Sequence, residues 1–204
     1  TAPVEALLAP LGWRALFLAL GALSIAAAAL IFLVVPERAL PGGGDPWREQ
    51  IAVIGRIFAR VDFWRLALPL VICQATFQAL QGLWFAPWLA DVHGLERAAA
   101  ADYLFFSAAA YMAASFALGK VNDFAGKRGV SPLRVYQIGM LLCAAAFAAL
   151  AFGARPALFL LILFAATSIA AIIAYTLLTQ LVPSAQTGRV TTASNLLLFA
   201  TSFA

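Results

Sequence analysis

Three glutamines recur along one face of a long apolar segment. At about 100° per residue of an α-helix, Gln74, Gln78 and Gln81 fall within one narrow stripe. Trp84 lies at the margin of that stripe. Polar groups in apolar surroundings are costly unless they are satisfied, so they face partners or a water-filled cavity. The stripe therefore predicts a cavity wall that hydrogen-bonds a solute. The alternative is that the amides link neighbouring helices.

Other apolar segments carry polar trios at helical spacing. Each trio falls on one helical face: Ser107, Tyr111 and Ser115; Ser168, Tyr175 and Thr179; and Thr191, Asn195 and Ser202. We expect Tyr111, Tyr175 and Asn195 to contact a solute, because small hydroxyl residues more often allow helices to pack closely.

Groups that could carry out covalent chemistry are scarce. His93 is the single histidine, so neither a zinc site nor a Ser-His-Asp arrangement is supported. Cys73 and Cys143 both lie inside apolar segments, which is typical of buried packing thiols. There is no P-loop motif. We therefore expect no enzyme activity, no metal and no cofactor.

Composition places these residues in a membrane. The hydrophobic fraction is 64% and the charged fraction is 11%, whereas soluble domains carry roughly 45–50% and about 25%. A helix needs about 20 apolar residues to cross the hydrocarbon core of a bilayer. Apolar segments near that length cover residues 11–35, 66–89, 98–118, 135–152 and 157–182, and another begins at residue 190. The predicted fold class is an all-α integral membrane protein.

The basic residues predict the orientation of these spans. Ten of the 13 Lys and Arg residues fall on one side, within residues 36–65, 120–134 and 183–189. Cytoplasmic loops carry the excess of Lys and Arg, so these three loops should be cytoplasmic. Because the basic residues lie in short loops between spans, the net charge of +4 does not indicate nucleic-acid binding.

The stretch 36–62 differs in kind from the other loops. Pro and Gly residues at 41–46 predict a flexible linker. Residues 47–60 then place apolar and basic side chains at helical spacing, which predicts an amphipathic helix on the inner membrane surface. A solvated linker with some helix is the alternative.

A short polar loop between two spans carries the most specific motif. Residues 119–128 read G-K-V-N-D-F-A-G-K-R, and this pattern resembles the cytoplasmic loop signature of major facilitator superfamily transporters. The segment Gly12-Trp13-Arg14, which opens a span, and Pro36-Glu37-Arg38, which ends it, look like that family's sixth helix. The turn from Pro183 to Arg189 is similar to the turn between its tenth and eleventh helices.

The resemblance implies how the chain is organised. It would be a fragment running from the end of the fifth helix to part of the eleventh, about six spans of a twelve-helix bundle. Residues 1–35 would end the N-terminal half, with the sixth helix at about 11–35. Residues 36–62 would form the central cytoplasmic loop. Residues 63–204 would form the C-terminal half, with helices seven to eleven.

The same resemblance implies a function. It suggests a secondary active transporter that moves a small solute by alternating access between two helical bundles. The expected partners are a small-molecule substrate, the lipid bilayer and, as a candidate coupling ion, the proton; the expected assembly is a monomer. Short loops and a high alanine content are typical of bacterial proteins, so we expect a multi-pass protein of the cell inner (cytoplasmic) membrane. The alternative is a non-transporting or partner-binding membrane subunit.

The motif residues have distinct expected roles in this resemblance. Gly119 lacks a side chain and would let one helix end approach its neighbour. Asp123 would offer its carboxylate to the positive N-terminus of a facing helix, and in the family this contact is implied to latch the two halves. Gly126 would supply an unusual backbone angle for a tight turn. Lys127 and Arg128 would pair with carboxylates or lipid headgroups.

Overall fold

The described part of the protein is almost entirely helical. A computed structural model describes residues 2–36 and 47–202, and no strand occurs in these ranges. Within them, five helical stretches are long and apolar enough to cross a membrane: Gly12–Val34, Val61–His93, Arg97–Lys127, Pro132–Ala151 and Ala157–Thr179. The prediction of an all-α membrane protein is confirmed. The chain divides into two units, residues 1–46 and 47–204.

The first unit contains helix α1 (Ala2–Val34). Its backbone leaves helical geometry at Gly12, where φ is 71° and ψ is 160°. Glycine has no Cβ and tolerates a positive φ, so the helix kinks at this point. The apolar span of 23 residues begins at the kink and ends at Val34.

The second unit holds the other helices of the described chain. Their bounds are α2 (Trp47–Phe58), α3 (Val61–Ala79), α4 (Phe85–His93), α5 (Arg97–Lys127), α6 (Pro132–Ala151), α7 (Ala157–Ser168), α8 (Ile173–Thr179) and α9 (Thr187–Ser202). A π-helix at Leu80–Trp84 joins α3 to α4, so that the three form one continuous span. A 3₁₀ turn at Ile169–Ile172 joins α7 to α8 in the same way.

Local sequence sets the ends of several helices. The backbone N–H of Arg134 donates to the Ser131 hydroxyl, and Pro132 occupies the first turn of α6, where its missing N–H costs nothing. Gly94 has a φ of 64° and ends α4, and Gly129 has a φ of 75° directly after α5. These left-handed positions favour glycine and turn the chain back into the bundle.

Two apolar clusters hold the second unit together. One joins α3 to α8 and α9 and includes Phe63, Leu70, Leu178 and Val190, all almost fully buried. The other joins α3 and α4 to α5, α6 and α7 through side chains that include Phe77, Leu89, Ala100, Leu150, Leu161 and Phe164. Because the clusters lie along opposite parts of the α3–α4 span, that span is the common wall of the bundle.

Helix α2 packs against this bundle. Val53 and Ile57 are 2% and 3% exposed and belong to the cluster of α3, α8 and α9. The Arg60 guanidinium, just beyond α2, donates to the carbonyl of Leu181 over 2.6 Å. The predicted amphipathic helix is therefore present, and protein covers part of its apolar face, while Ile51 stays exposed. Val53 and Ile57 thus dock α2 on α3 and α9.

Helix α6 approaches the 3₁₀ turn after α7 at a glycine. A Cβ placed on Gly139 would clash with the Cβ of Ala170. Two small residues therefore permit the closest approach between these elements, as is common where membrane helices pack without polar side chains.

Candidate functional site

Two aromatic residues and one amide connect α3 with α5 inside the span. Gln74 is buried, and its amide nitrogen donates to the Tyr111 hydroxyl at 3.5 Å. Phe77 stacks on the ring of Tyr111 with a centroid distance of 4.7 Å and an angle of 13°. The stacked ring fixes the phenol, so the hydroxyl of Tyr111 is held at a defined position although the tyrosine stays partly accessible.

A second polar contact connects α8 with α9. The Tyr175 hydroxyl donates to Oδ1 of Asn195 at 2.6 Å, and both side chains are partly accessible. Tyr111 and Tyr175 also lie near enough to interact electrostatically. We call Gln74, Tyr111, Tyr175 and Asn195 the polar cluster. Four separate helices thus supply its side chains.

The three glutamines of α3 and its π-helix have different surroundings. Gln78 is exposed, one turn beyond Gln74. Gln81 instead links helices: its amide nitrogen donates to the Leu104 carbonyl at 3.1 Å, and its oxygen accepts from the Ser107 hydroxyl at 3.2 Å. Gln81 thus contacts a neighbouring helix, as the alternative interpretation of the stripe predicts, and Gln78 is exposed.

Trp84 lies apart from the polar cluster. It is 63% exposed and lines a cleft of about 410 Å³ together with residues of α4 and α6. The π-helix explains this position, because the Phe85 N–H bonds to the carbonyl of Leu80, five residues back. The extra residue in the turn shifts the side chains that follow it relative to an ideal helical stripe. A helical wheel drawn at 100° per residue assumes a regular α-helix, so it does not predict such a shift.

Two residues that contact predicted site residues carry little signal in the sequence. Phe77 positions Tyr111 by ring stacking, and a phenylalanine in an apolar span gives no polar signal. Ser107 has the spacing of a close-packing hydroxyl, yet it is fully buried and hydrogen-bonds Gln81. Among the described residues, no three His, Cys, Asp or Glu side chains form a group that could hold a metal ion.

The loop motif begins on the last turns of α5. Gly119 and Asp123 are exposed helical positions, and nothing within 4 Å would meet a Cβ added at Gly119. Within the described ranges, no ion pair engages the Asp123 carboxylate. The close approach expected at Gly119 and the helix terminus expected at Asp123 therefore have no counterpart among the described residues.

The turn at the end of the motif differs from the expectation. Gly126 is helical, and Gly129 carries the positive φ of 75°. The prediction that Gly126 supplies the special backbone angle is wrong, because α5 continues to Lys127 before the chain turns. The Arg128 guanidinium lies over the Phe124 ring at 4.1 Å, a cation–π contact within the chain. Lys127 is exposed.

Comparison with known families now places the chain. A family model described as Major Facilitator Superfamily matches residues 1–204. The chain belongs to the major facilitator superfamily. No curated protein and no solved structure matches it. Members of the family are generally membrane transporters and not enzymes, so this major facilitator protein is a multi-pass membrane transporter with a partial family bundle.

Proposed function

We propose that this major facilitator protein is a secondary active transporter that carries a small, uncharged polar solute by alternating access. The observation that carries the proposal is the polar cluster, which gathers amide and phenol groups from α3, α5, α8 and α9 inside the span. Hydrogen-bonding groups from several helices that converge in an apolar bundle are typical of a solute site.

The side chains of the proposed solute site favour a neutral solute. The polar cluster and Gln78 present amides and phenols, which donate and accept hydrogen bonds without carrying charge. A buried anion would need a basic partner, and a buried cation would need a carboxylate. Neither type of side chain belongs to this set, so we infer a solute with hydroxyl, carbonyl or amide groups.

The two hydrogen bonds of the cluster suggest different roles during solute binding. At 3.5 Å, the Gln74–Tyr111 contact is at the long limit for such bonds, so a solute could replace it at small cost. The Tyr175–Asn195 contact is short at 2.6 Å and would hold α8 and α9 in register. Gln78 would meet the solute first, because it is the exposed amide of the set.

The loop motif would act as a gate on the cytoplasmic side. The open surface at Gly119 and the unpaired carboxylate of Asp123 within the described chain support docking against another helical bundle. In this proposal, residues 1–35 end the N-terminal half, residues 36–62 form the central loop, and residues 63–204 form the C-terminal half. The excess of Lys and Arg on the motif side supports a cytoplasmic location for the loop. The short loops and high alanine content support the inner membrane of a bacterial cell.

A comparison of metabolite content tests the proposal and requires no choice of solute in advance. Cells that express the full chain, the Gln78→Ala variant or no protein would be profiled by mass spectrometry after equal membrane amounts are verified. We expect at least one small neutral solute whose level or uptake rate depends on the wild-type protein and reverts in the variant. Identical profiles in all three strains would contradict transport, and together with a co-purifying protein would favour a partner-binding subunit.

Gln137→Ala provides the matched control for that experiment. Gln137 is an exposed amide on α6 and lies outside the polar cluster. Its removal should leave the solute profile at the wild-type level. An equal loss in both variants would mean that the effect of Gln78 does not arise from a cavity.

A further inference from the structure

The two cysteines of the chain lie side by side between two helices. Cys73 is on α3 and Cys143 is on α6, 70 positions apart in the sequence. Their sulfur atoms are 3.4 Å apart, and the Cys73 thiol also donates to the carbonyl of Ser168 at 3.9 Å. The packing of α3 against α6 and α7 thus brings the two thiols together as a pair.

Apolar side chains surround this thiol pair. Cys143 is 4% exposed and belongs to the apolar cluster that joins α3 and α4 to α5, α6 and α7, and Cys73 packs against the same cluster. Both residues lie well inside their spans, which are Val61–His93 and Pro132–Ala151. A net charge at this depth is costly, so a ligand of the pair should leave the site neutral.

The thiol pair is separate from the polar cluster. Cys73 directly precedes Gln74, but successive side chains of a helix point about 100° apart. Cys73 therefore faces Cys143 on α6, whereas Gln74 faces Tyr111 on α5. The following inference uses a contact between two described helices, and it depends neither on the proposed solute site nor on an open surface.

The number of donor groups excludes the common metal centres. Structural zinc is held by four side chains, and in the described ranges no three His, Cys, Asp or Glu side chains form a group that could hold an ion. Met140, one turn before Cys143, lines the same cavity as both thiols, but its thioether is uncharged. A monovalent soft ion between two thiolates would therefore leave a negative charge in apolar surroundings, which is unfavourable.

The distance between the sulfur atoms discriminates among the remaining ligands. Bonds between thiolate sulfur and a bound metal are about 2.3 Å long, and bonds to arsenic are of similar length. At that length, a linear ion such as Hg(II) would hold two sulfurs about 4.6 Å apart, whereas an atom that binds both at nearly a right angle would hold them about 3.3 Å apart. The observed distance of 3.4 Å matches the second geometry, which is that of pyramidal trivalent arsenic.

We propose that Cys73 and Cys143 form a dithiol site for trivalent arsenic, which enters as uncharged arsenous acid. Each thiol displaces one hydroxide from arsenic, and the hydroxide leaves as water with the thiol proton. Two As–S bonds thus replace two As–O bonds, two water molecules are released, and no electron is transferred. Because the leaving hydroxide takes the proton, neither sulfur has to become a free thiolate. The bound group is neutral and joins α3 to α6.

Arsenic binding at equilibrium tests this site directly. The full chain in lipid nanodiscs would be reduced with a phosphine, freed of it, and dialysed against increasing arsenite; elemental mass spectrometry would then give the arsenic bound per chain. We expect saturation at one arsenic per chain. Half-saturation should need about a hundredfold less arsenite in the wild type than in Cys73→Ala, because the second As–S bond forms within one molecule.

A variant with a displaced thiol is the matched control. Cys143→Ala combined with Leu142→Cys keeps two thiols but moves one of them about 100° around α6, to a position that is 47% exposed. This variant should bind arsenite as weakly as Cys73→Ala.

Thermal melting provides a second readout. Saturating arsenite should raise the melting temperature of the wild type, because the arsenic joins two helices, and should not raise that of Cys73→Ala. Melting without arsenite would show that each variant folds. Cys73→Ser, which keeps the volume of the side chain, replaces Cys73→Ala if the alanine variant melts early.

Three results would overturn the proposal. Folded, reduced wild type that binds no arsenic would show that the thiols do not form a site. Equal half-saturation of the wild type and the single-thiol variant would show that the sulfurs bind independently. Tight binding by the displaced-thiol variant would show that the contact between Cys73 and Cys143 does not determine affinity.

Discussion

The polar cluster and the contact of α6 with the turn after α7 hold helices together in different ways. Gln74, Tyr111, Tyr175 and Asn195 join their helices through hydrogen bonds. The α6 contact uses a glycine against an alanine, at Gly139 and Ala170, beside a buried apolar cluster. Shape alone sets the α6 contact, whereas hydrogen bonds connect the helices at the polar cluster. In the proposed function, the amides and phenols of the polar cluster also contact the solute.

Changes at the two contacts differ in the energies that they should cost. Hydrogen bonds between membrane helices contribute on average ~0.6 kcal/mol to stability. Overpacking of a well-packed core typically costs about 1–3 kcal/mol. Changes at the α6 contact should therefore affect folding, and changes at the polar cluster should affect transport with little effect on folding.

Gly139→Leu should have the largest effect on stability. Even a Cβ at this position meets Ala170, so a leucine would force α6 away from the 3₁₀ turn and destabilise the bundle by about 1–3 kcal/mol or more. Thermal melting and the yield of folded protein in detergent would both fall.

The control for this change is Gly188→Ala, at the start of α9. Nothing lies within 4 Å of a Cβ added there, so melting should stay near the wild-type value. Equal melting of Gly139→Leu and the wild type would contradict the close packing of α6.

Tyr175→Phe should separate transport from stability. The variant keeps the ring and removes the hydroxyl that donates to Asn195. We expect kcat/KM for transport to fall about tenfold, equivalent to ~1.4 kcal/mol, while stability changes by only ~0.6 kcal/mol. Uptake kinetics in proteoliposomes and melting curves measure the two effects. A stability loss that accounts for the whole transport defect would favour a purely structural hydrogen bond.

Asp123→Asn should shift the balance between outward-open and inward-open states. An interaction of a carboxylate with a helix terminus contributes roughly 0.3–1 kcal/mol, so the population ratio should change about two- to fivefold toward the inward-open state. Accessibility of an engineered external cysteine to an impermeant reagent measures this shift. Unchanged accessibility and unchanged transport would remove the gating role of Asp123.

Ser107→Ala should have the smallest effect. It removes one of the two partners of the Gln81 amide, which should cost ~0.6 kcal/mol of stability. Transport should stay within about twofold of the wild type, because neither Ser107 nor Gln81 belongs to the polar cluster. A large transport defect would place Ser107 in the solute path.

The fold was largely predictable because hydropathy and the loop motif depend on local sequence. Apolar runs of about 20 residues and the motif at 119–128 were sufficient for the membrane class and the family. Spacing points to Tyr175 and Asn195 separately, but only tertiary packing shows that they bond each other.

Other features depended on geometry that spacing cannot supply. The π-helix at Leu80–Trp84 turned Trp84 toward the cleft with α6. Continuation of α5 to Lys127 moved the tight turn from Gly126 to Gly129. The apolar face of α2 has the pattern of a membrane-surface helix, and its docking on α3 and α9 depends on long-range contacts.

Cysteine accessibility at Gln78 tests the central claim, a water-filled cavity beside the polar cluster, most directly. In the full chain with Cys73→Ala and Cys143→Ala, Gln78→Cys would be treated with a membrane-impermeant methanethiosulfonate. Leu141→Cys, at a 71% exposed position of α6, serves as the control on the lipid side. We predict rapid reaction at position 78 and none at position 141. Equal lack of reaction at both positions, while a membrane-permeant maleimide labels both, would show that Gln78 faces lipid and would contradict the cavity.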